Sequence, residues 1–526
     1  MACMVRGLIL WYLLAFPSFA QTYDLLIRNA HIVDGAGDPW FLGDVGVEGD
    51  RIAAVGQLRD VSAKFTVDAT GLTLAPGFID THSHGLRGIQ ATPTAENLIR
   101  QGVTTIIEGP DGSSPLPIRS FLDGITGHVG VNFGLLVGHG TIRSKVMGSQ
   151  NRKATPAELD QMKALARQAM LDGAFGLSTG LFYVPGNYAS TEEVIELGKV
   201  VGRLGGLHTS HMRNEGALVL DSVRETIRIG EDGHLPTQVT HHKIIGKQNW
   251  GLSRDTLRLV EEARSRGVDV TVDAYPYTAS STGIGALFPQ WSLAGGSKAL
   301  VERLAAPESH ARIKAEIVDR ILNDRGAGDP ANVVIASCGF DSSLAGKSLA
   351  DIARAQGRDA TPESAAEVAI ELQQKGSCSA IYHAISEEDV ERILRYPFTM
   401  IVSDGGIPAY GKEMPHPRNY GTFARVLGRY VREKKVLTLE DAVHRMSGLP
   451  ARRFGLQDRG LIGPGMKADL VLFDPALVSD RSDYLHPHQY SVGVDSVWVN
   501  GVAAMRQGKM TGALGGRPLY GPAVKQ

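Results

Sequence analysis

Three cysteines in 526 residues are far too few for a disulfide-scaffold protein. Net charge of one sign is missing as well, because 54 Lys and Arg stand against 56 Asp and Glu. The formal charge of −2 gives no electrostatic reason to expect nucleic-acid binding or adhesion to anionic lipid. Beyond the N-terminus no hydrophobic run is long enough to span a bilayer. Internal repeats and low-complexity tracts are absent, and so are a phosphate loop in a strand-GxGxxG-helix setting, a nucleophile elbow and a convincing pair of glycosidase carboxylates. Glycine, by contrast, is plentiful: 62 residues, against a usual share of ~7%. It follows no Gly-X-Y period, so it signals many tight turns and not a collagen helix.

What is present begins with an export signal. MACMVRGLILWYLLAFPSFAQ carries one Arg6, an apolar run from Gly7 to Phe16, and a small-x-small site before Gln21. The run is too short to span a membrane, so residues 1–20 read as a cleaved signal peptide and the mature protein as periplasmic or secreted, free of the membrane. Cys338 and Cys378 then remain, and the sequence leaves open whether they pair.

Short alternating segments, YDLLIRNAHIVDG, DVGVEGDRIAAVG and KFTVDATGLTLAPG, are separated by turns at Asp34-Gly35, Glu48-Gly49-Asp50 and Ala69-Thr70-Gly71, the punctuation of hairpins. The C-terminus has the same texture, with Val499-Asn500-Gly501-Val502 as a hairpin signal. One small β domain assembled from residues 21–75 and 456–526 is expected. The middle, 76–455, alternates apolar strands at 73–81, 103–108, 131–137, 174–178, 206–210, 237–241, 268–273 and 398–403 with amphipathic helices. Thr155-Pro156-Ala157-Glu158 and Ser190-Thr191-Glu192-Glu193 are helix starts. The fold class expected is α/β, a (β/α)8 barrel, with a doubly wound sheet as the competing arrangement. The long gap before the last strand predicts an insertion over about 283–375.

The chemistry gathers at strand ends. His82 and His84, two apart in GFIDTHSH, project the same way from the first barrel strand, as a metal-ligand pair would. His211 and His241 close the fifth and sixth strands and are the best further ligands, whereas His208 and His242 suit packing roles. Asp404 ends the last strand, where one carboxylate can hold a metal and pass a proton between water and a leaving group.

The sequence resembles the N-acyl-D-amino-acid deacylases (D-aminoacylases) of the amidohydrolase superfamily. The match runs through NAHIVDGAG, APGFIDTHSH, GLSTGLFYVPG (176–186), HMRNE (211–215), HHKIIGKQNWG (241–251), DAYPYTASST (273–282), SDGG (403–406), HPRNYGTFARVLGRYVRE (416–433) and GPGMKADLVLFDP (463–475); the first and last occur across the superfamily, whereas HMRNE, HHK with NWG, YPYTASST and HPRNYGTF are much more specific to that branch. The resemblance implies a barrel with a β-sandwich formed by both termini, one or two zinc ions, and hydrolysis of N-acyl-D-amino acids. It places ligands at His82, His84, His211, His241 and Asp404, the last also as acid and base. Lys243, Tyr275 and Ser281 fall where the family binds the substrate carboxylate, which an ammonium and two hydroxyls suit. Arg213 is a further candidate for that anion, or a partner of Glu215. One departure stands out. The family places a metal-binding Cys after strand two, and this chain reads Glu108-Gly109-Pro110-Asp111. Glu108 is the favoured replacement ligand and Asp111 its competitor; either is harder than a thiolate. Other amides (isoaspartyl dipeptides, cyclic imides, exogenous N-acyl compounds) and a catalytically inactive exported binding protein are the alternatives.

Overall fold

The computed structural model describes residues 22–524, so the signal-peptide segment lies outside the described residues. Eight parallel strands form the barrel: Phe78–Asp80, Val103–Glu108, Asn132–Leu135 continued by Val137–Gly138, Gly176–Gly180, Leu207–His211, Thr237–Val239, Val270–Ala274 and Thr399–Ile401. The ring closes between its last and first strands, where Asp404 N donates to His82 O (2.9 Å) and His84 N to Gly405 O (2.6 Å). Each of the eight expected strands is there, and the competing open sheet is not. Both predicted helix starts hold. Thr155 and Glu158 form a reciprocal capping box, and the Ser190 hydroxyl accepts from Glu193 N. The barrel strands are buried throughout, which is why they read as apolar runs without alternation.

The segment 73–81 is two strands, not one. Thr73–Pro76 joins a nine-stranded sheet built from both ends of the chain, and Phe78–Asp80 joins the barrel. Thr22–Ile32 is the spine of that sheet. Its first half pairs with Ser62–Asp68 and its last two residues with Thr73–Pro76, both in parallel. The turn at Ala69-Thr70-Gly71 therefore links two neighbours of one strand and makes no hairpin, unlike Glu48-Gly49-Asp50 and Asn500-Gly501, which do. The C-terminal strand Leu470–Phe473 bonds to the other edge of Thr73–Pro76. Ile27, Ile32, Val45, Leu74, Leu470 and Trp498 bury a common core, each worth about 1.5–3 kcal/mol.

Between the seventh and eighth barrel strands the chain leaves the barrel. The insertion is wider than 283–375, because a three-stranded antiparallel sheet of Ser280–Gly283, Cys378–Tyr382 and Val333–Cys338 bounds it. The helices Pro307–Asn323 and Pro362–Lys375 pack on this sheet around their own core of Ile313, Ile317, Ile335, Val368 and Leu372. Cys338 and Cys378 do pair. They face each other across the sheet with Cα atoms 4.4 Å apart and form a disulfide.

Asp50 clamps the two ends of the chain, taking Lys467 at 2.7 Å and Arg517 at 2.6 Å. The Lys467 contact leads over burial and holds its carboxyl down to about 2. A depressed folded pKa contributes stability above the unfolded value of ~3.9, and that stability is lost as pH falls through the folded one. Stability is expected to decline from pH 4 toward 2 partly through Asp50. Asp50→Asn should flatten that decline in acid melts while lowering stability at pH 7.

Candidate metal centre

Four histidines and two aspartates converge at the C-terminal mouth of the barrel. Asp111 is their midpoint. Its Oδ1 lies 3.5 Å from His82 Nε2 and 3.4 Å from His241 Nε2, and its Oδ2 lies 3.6 Å from His84 Nε2 and 3.5 Å from His211 Nδ1. Two groups of ligand atoms share it, His82-His84-Asp111-Asp404 and Asp111-His211-His241, each with atoms within 4.8 Å of one another. Asp404 Oδ1 stands 3.1 Å from His84 Nε2 and 3.6 Å from His82 Nε2.

The local backbone explains how these side chains meet. Asp111 (φ 55°), His241 (φ 34°) and Asp404 (φ 48°) all hold left-handed conformations that cost non-glycine residues energy, and such strain concentrates at working sites. Gly112 (φ 76°) continues the turn after Asp111. At Gly180 a Cβ would lie 2.1 Å from Asp111 O, so only glycine lets the loop settle against the fourth strand.

Glu108 is not in the cluster, which corrects the expectation. It sits at a strand end, but its carboxylate turns aside to accept from Gly85 N (2.7 Å) and Leu86 N (3.0 Å), the free amides of the short turn Gly85–Arg87. Burial pushes it up to about 7 against those bonds and the neighbouring Ser83 and His84. Asp111, three residues on, is the residue the loop carries back to the histidines.

Outer contacts orient the rings. His82 Nδ1 meets Thr240 Oγ1 at 2.7 Å, and that hydroxyl donates to Asp273 at 2.7 Å. His82 Nε2 and Asp111 Oδ1 are buried with no hydrogen-bond partner among the described residues, and both point into the cluster. Burial works against charge on the imidazoles, yet the two aspartates raise His84 to about 10, and Asp111 and Glu215 lift His241 to about 9 despite Lys243. Buried carboxylates that draw protons onto imidazoles, with orphaned ligand atoms facing one point, fit a bound cation. Burial would raise Asp404, but Arg418, whose Nη1 lies 2.7 Å from its Oδ2, and His84 hold it well below the usual carboxylate range.

A cavity of about 960 Å³ opens over the cluster and includes Lys243, Ser281, Arg325 and Arg418 in its lining. Lys243 Nζ is held by Glu215 (2.5 Å) and His241 O (2.7 Å). The Tyr275 hydroxyl is buried without a partner among the described residues, and the Arg418 guanidinium lies 5.0 Å from its ring. Ser281 comes from the insertion sheet, and its carbonyl accepts from Arg418 at 3.3 Å. Arg213 is no anion site. It points away to Glu225 (2.8 Å) and to the carbonyls of Asn187 and Ala189, a structural pairing with a partner other than Glu215. His208, bonded to Thr179 and Thr237, and His242, bonded to Thr256, are packing groups as expected. Sequence reasoning passed over Arg418 and Arg325. The first lies in HPRN, a segment whose specificity was its one signal; the second had none.

A solved D-aminoacylase, studied for its binuclear metal centre, superposes with a TM-score of 0.82 at 37% identity over 95% of this chain and all of its own. A D-aminoacylase from Alcaligenes xylosoxydans xylosoxydans is 39% identical over 95% of this chain and 98% of its own length. The chain belongs to the D-aminoacylase family of amidohydrolases. An "Amidohydrolase family" model matches residues 371–504. A third member, the N-acyl-D-glutamate deacylase of Bordetella bronchiseptica, was solved with zinc and a phosphonate mimic of the tetrahedral intermediate; it is 35% identical over 95% of this chain and the whole of its own, with a TM-score of 0.82. Where the resemblance placed the family's metal-binding Cys, this chain has Asp111.

Because Asp111 belongs to both ligand groups, Asp111→Asn should abolish tight zinc uptake as measured by metal analysis after gel filtration. Glu108→Gln should leave the zinc content close to wild type.

Proposed function

We propose that the chain is an exported zinc-dependent deacylase that hydrolyses N-acyl-D-amino acids to a carboxylic acid and a D-amino acid. The observation that carries this is an ionised Asp404, locked by Arg418 and set beside His82 and His84, at a cavity lined by His84, Lys243 and Ser281, with the Tyr275 ring 5.6 Å from Lys243 Nζ. The relatives acting on such substrates cover nearly the whole chain. His82, His84, Asp111, His211, His241 and Asp404 are the residues that would hold one or two zinc ions. When bound, zinc polarises the acyl carbonyl and acidifies water. Lys243, the Tyr275 hydroxyl and Ser281 grip the substrate carboxylate and thereby fix the amide. Asp404 removes a proton from the attacking water as its oxygen bonds to the acyl carbon. It then delivers that proton to the amide nitrogen as the C–N bond breaks. Arg418 keeps Asp404 ionised before the step and fixes which oxygen faces the substrate.

Residues 1–20 serve as a signal peptide, 21–75 and 456–526 make a small β-sandwich, and 76–455 make the hydrolase barrel. The Cys338–Cys378 disulfide supports an oxidising destination, periplasmic or extracellular.

Asp404→Asn tests the mechanism. The variant should fold and keep most of its zinc while kcat on N-acetyl-D-amino acids falls about 10²–10⁴-fold. A panel of N-acetyl-D- and N-acetyl-L-amino acids, an isoaspartyl dipeptide and a cyclic imide tests the substrate class, and turnover confined to the last two would reject it.

A further inference from the structure

Beside the metal cluster, in the lining of the same cavity, one carboxylate faces both histidines of the second ligand group. Glu215 is 4% exposed. Its Oε1 lies 3.3 Å from His241 Nδ1, and its Oε2 lies 3.9 Å from His211 Nε2. The opposite nitrogens of the same two rings, His241 Nε2 and His211 Nδ1, are those that face Asp111. Neither Glu215 Oε2 nor His211 Nε2 has a hydrogen-bond partner among the described residues, although both are buried. Each ring is thus placed between two carboxylates, one at the ligand position and one behind it.

We infer that Glu215 is a positioning residue that sets the tautomers of His211 and His241 for metal binding. An imidazole can ligate only through a nitrogen that carries no proton, so its other nitrogen must be the N–H, and that N–H needs an acceptor. His241 is contested. Lys243 Nζ stands 2.8 Å from the same Nδ1, and an ammonium can only donate. A ring accepting from Lys243 would carry its proton on Nε2, toward Asp111, and would be no ligand. Glu215 Oε1 takes Lys243 Nζ at 2.5 Å and lies 3.3 Å from Nδ1, so it is placed both to draw the ammonium off that nitrogen and to accept the Nδ1 proton of a metal-binding ring. His241 O, 2.7 Å from Nζ, takes a second of that ammonium's donors.

Glu215 is held in turn from the insertion. Arg325 Nη2 lies 3.7 Å from Oε2, and its guanidinium sits 4.7 Å from the Phe182 ring and 5.5 Å from that of Tyr382.

The inference rests on the zinc reading, and the test separates the two. Zinc affinity is measured by chelator competition on the full chain, beside the melting temperature of the zinc-free protein. Glu215→Gln keeps the shape and removes the charge; zinc affinity should fall about 10–100-fold in protein whose zinc-free melting curve shows it to be folded at the assay temperature. Wild-type affinity in a folded Glu215→Gln protein would overturn the inference and leave the zinc reading standing. Wild-type protein that takes up no zinc would remove both. Should Glu215→Gln fail to fold, Glu215→Asp keeps the charge but withdraws it by one methylene, and its zinc affinity should be weaker than wild type. Undiminished affinity in Glu215→Asp would overturn the inference.

Discussion

Four imidazoles brought to one point in a buried barrel mouth need a negative charge between them, and Asp111 supplies it. Its two oxygens stand 3.4–3.6 Å from a nitrogen of each of the four histidines. Burial alone would neutralise such a carboxylate. The surrounding imidazoles of His82, His211 and His241 outweigh that cost and hold it ionised well below its ordinary range. The rest of the site is arranged around this charge. The left-handed backbone at Asp111 turns it inward, and the bare Cα of Gly180 lets the loop lie flat on the fourth strand. Moving that loop outward by even one side-chain width would separate the two ligand groups it joins.

The other elements serve to keep this centre closed and oriented. Arg418 ties Asp404 to the carbonyl of Ser281, so one cation joins the eighth strand's carboxylate to the insertion sheet. Arg325 makes a second connection, through Glu215. The disulfide staples the two insertion strands at the end where Ser337 and Ser379 line the cavity. The shared terminal sheet meets the barrel from another side. Asp469 takes Asn132 at 3.0 Å and Asn500 N at 2.6 Å, joining the third barrel strand to the turn between Val494–Val499 and Val502–Arg506.

Much of this was legible in the chain. Strands of a parallel barrel are buried on both faces, so they appear as apolar runs, and their ends carry the ligands; His82, His84, His211, His241 and Asp404 follow from that rule. The rule failed at Glu108 for a physical reason. A carboxylate at a strand end can satisfy free backbone amides instead of a metal, and Gly85 and Leu86 present two of them. Arg213 failed likewise, since an Arg finds whichever carboxylate the fold places near it, and that is Glu225 on a neighbouring helix.

The sequence by itself determined the barrel, the β-rich ends, the insertion before the last strand and the four histidines, because hydrophobic period, turn chemistry and strand-end position are local properties. Only the tertiary structure decided that Asp111 stands between the histidines, that Cys338 meets Cys378, and that Glu215, Arg325 and Arg418 face the site. Those include contacts between residues 130 positions apart, as between Asp111 and His241, and no local pattern encodes such distances. Their partners are chosen by the way barrel, loop and insertion pack.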